Sequence, residues 1–275
     1  MFTDDIIRRA LEEDIGSGDV TTDSVVSAEL RGHGRIMAKE TLVVAGLGVA
    51  GGVFLTADPH SRFKQTVSDG DLVQSGTVIL EVDGTYRSLL KAERVALNFL
   101  QRLCGIATLT RTYVESTKGT KTKILDTRKT VPLLRHLDKY AVRMGGGVNH
   151  RLGLYDAILV KDNHIAACKG SVAEATAKAK TRFPGKPVTV EIAKSDDVEP
   201  AIEAGATRLL LDNMSDADVD KCVKMIRGRT EIEVSGGVTL ERVAKLSKLG
   251  VDYISVGALT HSPRAVDISF EIEPA

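Results

Sequence analysis

The sequence predicts an α/β protein in two parts, a smaller mixed domain followed by a ring of parallel strands, and three observations predict it. The first third mixes helical and strand-like periodicities. From about residue 120 the texture changes to short apolar runs alternating with helical stretches: KILD, AILVK, VTVE, RLLLD, EIEVS and YISVG. Each of those six runs ends in a polar residue or glycine, namely Asp126, Lys161, Glu191, Asp212, Ser235 and Gly257.

Taken in order, Asp4 to Leu11 carries apolar residues at helical spacing, whereas Arg62 to Val67 and Val78 to Val82 read as strands. An Asp-Gly pair comes soon after each strand, Asp69-Gly70 and Asp83-Gly84, and predicts a turn. Arg87 to Leu103 then reads as a long amphipathic helix with Leu89, Leu90, Val95, Ala96, Leu97, Leu100 and Leu103 on its apolar face. This helix bridges the two parts, and the boundary is placed between residues 1–106 and residues 107–275, with the last residues left free to pack back on the first part. In the second part, strand and helix alternation implies parallel strands with helical crossovers. Six βα units are two fewer than the usual eight of a closed barrel, and their even rhythm suits a closed or nearly closed ring.

The composition excludes several classes. With 275 residues, 43% hydrophobic and 27% charged, the chain has enough material for one large domain plus a smaller one. Lys+Arg and Asp+Glu both count 37, so no overall field attracts nucleic acid or an anionic membrane, and any anion must be held by local clustering. The opening MFTDDIIRRALEED has no basic stretch followed by an apolar one, and nowhere do about eighteen apolar residues run together. The expected location is cytoplasmic. Cys104, Cys168 and Cys222 are far apart and form no CxxC, which predicts buried reduced thiols rather than a zinc site or disulfides.

In a ring of parallel strands the six run ends converge on the C-terminal rim, where the βα loops of such barrels build the active site. Glu191 and Asp212 would place two hard carboxylate oxygens on adjacent strands. That suits a Mg2+ ion that also takes phosphate oxygens, although either carboxylate could instead pair with Lys161 or cap the next helix. Ser235-Gly236-Gly237 and Val256-Gly257-Ala258 lie at strand ends in the last two units, the usual place for a barrel phosphate site, where bare backbone N–H groups approach a phosphate. Between Asp126 and Lys161 cations are dense. Arg135, Lys139 and Arg143 are expected on the solvated face of a helix. Arg128 and Lys129 directly follow a strand, and His150-Arg151 follow the flexible Gly145-Gly146-Gly147, so these four are expected to point inward. Planar Arg forks bind carboxylates in a bidentate way, and the cluster predicts a substrate with more than one acid group. For His150 a packing role remains an even alternative.

The segment DTRKTVPLLRHLDKYAVRMGGGVNHRLGLYDAILVKDNHI, from Asp126 to Ile165, resembles the hallmark of quinolinate phosphoribosyltransferase. Supporting segments are DIGSGDVTT from Asp14, ERVALNFLQRLCGIAT from Glu93, VEIA from Val190, LLLDNMS from Leu209 and EVSGGVT from Glu233, so the resemblance spans nearly the whole chain in order. Two departures stand out: Cys104 where the family usually has Ser, and Thr189 where an extra acidic residue often precedes the position of Glu191.

The resemblance implies an N-terminal α/β sandwich followed by an open-sided six-stranded α/β barrel. It also implies a homodimer, with further assembly to a hexamer left open. The implied reaction converts quinolinate and phosphoribosyl pyrophosphate into nicotinate mononucleotide, pyrophosphate and carbon dioxide, a step of NAD synthesis. By the same resemblance Arg128, Lys129, His150, Arg151 and Lys161 line the quinolinate pocket, with Lys129 and Lys161 also near the donor. Glu191 and Asp212 hold the magnesium ribose-pyrophosphate, and Lys129, Lys161, Glu191 and Asp212 form the catalytic set. Ser235, Gly236, Gly237 and Gly257 take the 5′-phosphate, and Arg94 is inserted into the neighbouring subunit's site.

Two competing readings are distinguishable. Lys161 at a strand end could form a Schiff base in an aldolase, which borohydride trapping with a carbonyl substrate would reveal. A relative of the molybdenum-transport-associated type would bind or sense an anion without catalysis, against which the joint presence of the seven charged site residues argues.

Overall fold

A computed structural model describes residues 2–275. In chain order the elements are α1 (Phe2–Ile15), α2 (Val20–Val25), β1 (Arg31–Ala38), β2 (Leu42–Val43), α3 (Leu47–Ala57), β3 (Arg62–Gln65), β4 (Leu72–Val73), β5 (Val78–Thr85), α4 (Tyr86–Glu115), β6 (Lys123–Leu125) and α5 (Arg135–Met144). Next come β7 (Ile158–Val160), α6 (Asp162–Ala167), α7 (Val172–Arg182), β8 (Val188–Ile192), α8 (Val198–Glu203), β9 (Arg208–Asp212), α9 (Asp216–Ile226), β10 (Glu231–Ser235), α10 (Leu240–Leu246), β11 (Tyr253–Ser255), α11 (Ala258–His261) and β12 (Ile268–Pro274).

Two compact units interleave along this chain. One comprises residues 1–111, 131–146 and 262–275, the other residues 112–130 and 147–261. Residues 262–275, with the C-terminal strand, group with the first unit in keeping with the expected packing-back of the last residues, whereas α5 also groups there, which a contiguous boundary at residue 106 does not provide for.

The first unit is built on an antiparallel sheet in the order β12-β1-β5-β3. Alternate residues of β1, from Gly32 to Ala38, face inward, as a half-buried strand requires. Helix α3 packs on that inner face, with the Phe54 ring tilted against that of Phe270 of β12 at 5.6 Å between centres, and a Cβ on Gly51 would lie 2.5 Å from the Phe63 ring. This is the two-layer α/β arrangement expected. Asp69-Gly70 forms its turn: the N–H of Asp71 bonds the carbonyl of Ser68, and Gly70 has φ +98°. Asp83-Gly84 does not turn but continues β5, because a Cβ on Gly84 would meet Ser61 Oγ at 2.8 Å; this glycine serves close packing.

Helix α4 extends beyond the expected Leu103, burying Leu89, Ala92, Ala96, Leu100 and Leu103. The expectation of a solvated α5 face is corrected for Lys139, which is buried on the same side as Leu137, Asp138, Ala141 and Val142. That side is tied down by ion pairing: Arg102 grips Asp138 with Nε to Oδ1 at 3.0 Å and Nη2 to Oδ2 at 2.8 Å.

In the second unit six parallel strands run in the order β6-β11-β10-β9-β8-β7. The six predicted runs are the six strands. Among the described residues no ladder joins β6 to β7, so the ring is open on one side. On the strand faces turned away from Leu210, Glu233 and Ser255 lies a continuous buried apolar set, including Ile124, Val190, Leu209, Leu211, Val234 and Ile254, as parallel strands covered on both faces require. Ser171, Ser215 and Thr239 cap α7, α9 and α10 by accepting the N–H of Glu174, Asp218 and Arg242. Among the described residues no helix is long and apolar enough to cross a membrane. The three cysteines are free; Cys104 and Cys222 are buried as expected, whereas Cys168 is partly exposed.

Candidate active site

A cavity of about 570 Å³ opens at the C-terminal ends of the parallel strands, within the second unit. Its lining includes Arg128, Lys129, His150, Arg151, Lys161, Asp212, Ser235, Gly236, Gly237 and Gly257. Ten of the twelve residues singled out in the sequence therefore share one cavity. Glu191 sits at its edge through Lys161, whose Nζ is 3.4 Å from Glu191 Oε2. Arg94 belongs to the other unit. It is 58% exposed on α4, and its one ion pair given by the structure is to the adjacent Glu93, at 4.0 Å.

The cationic side is assembled by the loop after β6 and the turn before β7. Arg151 donates from Nη1 to the carbonyl of Ala157 at 3.0 Å, while its Nε is buried with no hydrogen-bond partner among the described residues. Burial, and next the charge of Arg128, push its ionisation below the usual arginine range. Two guanidiniums that repel each other at a cavity wall are relieved by an anion, and a dicarboxylate supplies it.

Across the cavity, Asp212 ends β9 and accepts from Ser235 Oγ at 2.9 Å and from Asn213 Nδ2 at 2.7 Å. Burial raises the Glu191 carboxyl above its usual range; Lys161 opposes this, and the charge of Asp212 adds to it. Two carboxylates in mutual repulsion favour a cation between them. Two carboxylates are the donor set that Mg2+ commonly takes from a protein, its remaining ligands coming from water and phosphate oxygens. The Gly236-Gly237 turn has both φ angles positive, +90° and +56°. A Cβ on Gly257 would come within 3.3 Å of Lys129 Cδ. These bare backbones admit a group no side chain would allow.

The sequence reading placed Asp126 at the rim without a role of its own and gave Glu233 none, yet both are buried carboxylates that support the site. Asp126 accepts Asn149 Nδ2 at 2.6 Å and the N–H of His150 at 2.8 Å. Glu233 is fully buried and lines the cavity, with His150 Nε2 at 3.4 Å, the Ser255 hydroxyl donating to it, and Arg208 Nη1 at 3.2 Å. Burial alone would push the Glu233 carboxyl up; His150, Ser255 and Arg208 together hold it below its ordinary range. An acid flanked by Ile232 and Val234 in a central strand was the available signal.

A rim cavity that combines paired guanidiniums, a carboxylate pair and glycine turns on a parallel α/β ring defines an enzyme handling polyanionic, phosphate-bearing substrates. Sequence profiles named "Quinolinate phosphoribosyl transferase, N-terminal domain" and "Quinolinate phosphoribosyl transferase, C-terminal domain" match residues 19–104 and 106–271. The chain belongs to the quinolinate phosphoribosyltransferase family. Over 262 residues it is 44% identical to the probable nicotinate-nucleotide pyrophosphorylase (carboxylating) of Bacillus subtilis, spanning 94% of this chain and 90% of that one. It is 41% identical to quinolinate phosphoribosyltransferase (decarboxylating) 1 of Nicotiana glauca, over 98% of this chain and 81% of the relative. The crystal structure of NadC from Streptococcus pyogenes superposes with a TM-score of 0.95 at 43% identity, covering 99% of this chain and 96% of that one.

Proposed function

We propose that the chain transfers phosphoribosyl from phosphoribosyl pyrophosphate to quinolinate with decarboxylation, and that the cavity residues divide this work. The observation that carries the assignment is that one cavity is lined by the paired Arg128 and Arg151 and by Asp212, with Glu191, the partner of Asp212, at its edge. Arg128 and Arg151 hold the two pyridine carboxylates. Lys129 and Lys161 face the pyrophosphoryl group, and Ser235, Gly236, Gly237 and Gly257 receive the 5′-phosphate. Glu191 and Asp212 hold the Mg2+ that accompanies the donor; when bound, it neutralises charge on the departing pyrophosphate.

Loss of pyrophosphate leaves positive charge on ribose C1. The Asp212 and Glu191 carboxylates tolerate that charge, while Lys129 and Lys161 stabilise the leaving group. No nucleophilic side chain is needed, since the pyridine nitrogen attacks C1 directly. The ring nitrogen, now quaternised, then stabilises the carbanion left when the adjacent carboxylate departs as CO2, and that ring carbon takes up a proton from solvent to give the product. We place the working enzyme as a homodimer with Arg94 supplied from the partner. We propose the cytoplasm as its location.

The test is a comparison of acceptors with magnesium and phosphoribosyl pyrophosphate present. Nicotinate lacks one carboxylate and leaves a half-buried guanidinium uncompensated, at a cost of roughly 3 kcal/mol, on the order of a hundredfold in specificity. Quinolinate is expected to be preferred by at least that factor, and equal rates with the two acceptors would overturn the assignment.

A further inference from the structure

Two buried carboxylates meet the turn that carries His150 and Arg151. Asp126, from the end of β6, accepts the N–H of His150 and the amide of Asn149. Glu233, from the middle of β10, meets the His150 ring, with Nε2 3.4 Å from Oε1. The other ring nitrogen is committed too: Nδ1 accepts the backbone N–H of Arg151 at 2.8 Å. A nitrogen that accepts carries no proton, so the ring proton sits on Nε2 and is directed at the Glu233 carboxylate.

Glu233 is itself fixed. Its Oε1 also accepts from Ser255 Oγ, and its Oε2 from Arg208 Nη1 at 3.2 Å. Arg208 in turn bonds Glu231 and stacks its guanidinium 3.9 Å from the centre of the Tyr253 ring. A line of interactions thus runs from the N-terminal end of β9 through the ring interior to the cavity wall. With three donors facing it and full burial, the Glu233 carboxylate has no freedom to reorient.

We infer that Glu233 is a positioning residue for the acceptor site: it holds His150 as the neutral imidazole protonated at Nε2, and through that ring it sets the backbone of Arg151. His150 then supplies orientation rather than charge, and the positive charge that meets the acceptor's carboxylates comes from Arg128 and Arg151. The inference rests on the assignment of Arg151 to the acceptor, but its first test does not need activity. Glu233→Gln separates the roles by hydrogen-bond count. A glutamine that keeps its oxygen on His150 and Ser255 turns its amide towards Arg208, donor against donor. Turned the other way, it demands a proton shift to Nδ1 and breaks the bond to Arg151.

Nitrogen-15 spectra of the histidine-labelled protein, with His150 identified by its loss in His150→Asn, are expected to show a neutral ring protonated at Nε2. A doubly protonated ring, or one protonated at Nδ1, would overturn the inference whatever the enzyme's substrate proves to be. In steady-state assays Glu233→Gln is expected to raise KM for quinolinate about tenfold or more, with KM for phosphoribosyl pyrophosphate nearly unchanged. His150→Asn keeps an acceptor for the Arg151 N–H and removes the contact with Glu233. In that background Glu233→Gln is expected to add little, because its effect travels through the ring. Equal rises in both KM values, or full additivity in the double variant, would show a general structural role and sink the proposal.

Discussion

Gly236 packs its backbone so closely against Asn213 that a Cβ at position 236 would lie 2.1 Å from Asn213 Oδ1. Asn213 holds Asp212 through Nδ2, so the contact reaches the carboxylate assigned to the donor. Gly236→Ala combines a side chain at φ +90° with this clash. The expected outcome is a loss of about 1–3 kcal/mol of stability and a larger rise in KM for phosphoribosyl pyrophosphate than for quinolinate. Urea unfolding and steady-state kinetics check the two parts separately.

Glu191→Ala and Asp212→Ala should each weaken use of the magnesium-bound donor while leaving the fold intact, since both sit at strand ends rather than in the apolar interior. Titration of activity against magnesium at fixed donor is the measurement. Unchanged dependence on both in either variant removes that residue from the role.

Asp126 is the more structural acid. Asp126→Ala leaves the His150 N–H and the Asn149 amide facing a buried gap, and each such donor costs about 1–3 kcal/mol. Asp126→Asn does not rescue, because its amide meets one of those donors. Both variants should lower the unfolding midpoint in urea and weaken quinolinate binding, with alanine the worse.

Cys104 predicts a pH dependence. Burial pushes its thiol from 9.0 to about 12, opposed by its hydrogen bonding with Ala45. Below pH 9 neither folded nor unfolded thiol ionises and the full stability is present. Above it the unfolded chain releases a proton that the folded one keeps, so stability is lost as pH rises towards about 12, at up to about 1.4 kcal/mol per unit. A serine at this position has no such proton to lose. The urea midpoint of the natural chain should therefore fall more steeply than that of Cys104→Ser between about pH 9 and pH 10.5.

How much of this was legible in the sequence depends on distance along the chain. The six strands were readable because each is a short apolar run closed by a polar residue or glycine, and the meeting of Lys161, Asp212, Ser235 and Gly257 at one cavity was readable because strand ends converge in any parallel ring. Lys139 was misread because a charged residue on a helix normally faces water; its burial depends on the packing of α5 within the first unit, which no local periodicity encodes. Gly84 was misread for the same reason: Asp-Gly signals a turn locally, while the need here is room for Ser61 and Leu89. Glu233 escaped notice because its partners, His150, Arg208 and Ser255, lie 83, 25 and 22 residues away.

Arg94 carries the last expectation, that each site is completed by the neighbouring subunit. Its side chain projects from α4, 58% exposed, and is not among the residues lining the cavity of its own chain. A cation left at the surface in a segment that resembles the family's ERVALN motif fits a residue donated to a partner. Arg94→Ala and Lys129→Ala are each expected to be nearly inactive alone. Unfolded together and refolded with random pairing, about half of the dimers are mixed, and each mixed dimer has one intact site of two, so activity should return to roughly a quarter of the natural level. If Arg94 served its own chain, every mixed dimer would carry two broken sites and nothing would return. Activity no higher than that of the parent variants, with subunit exchange confirmed by mass spectrometry, would therefore refute the shared site.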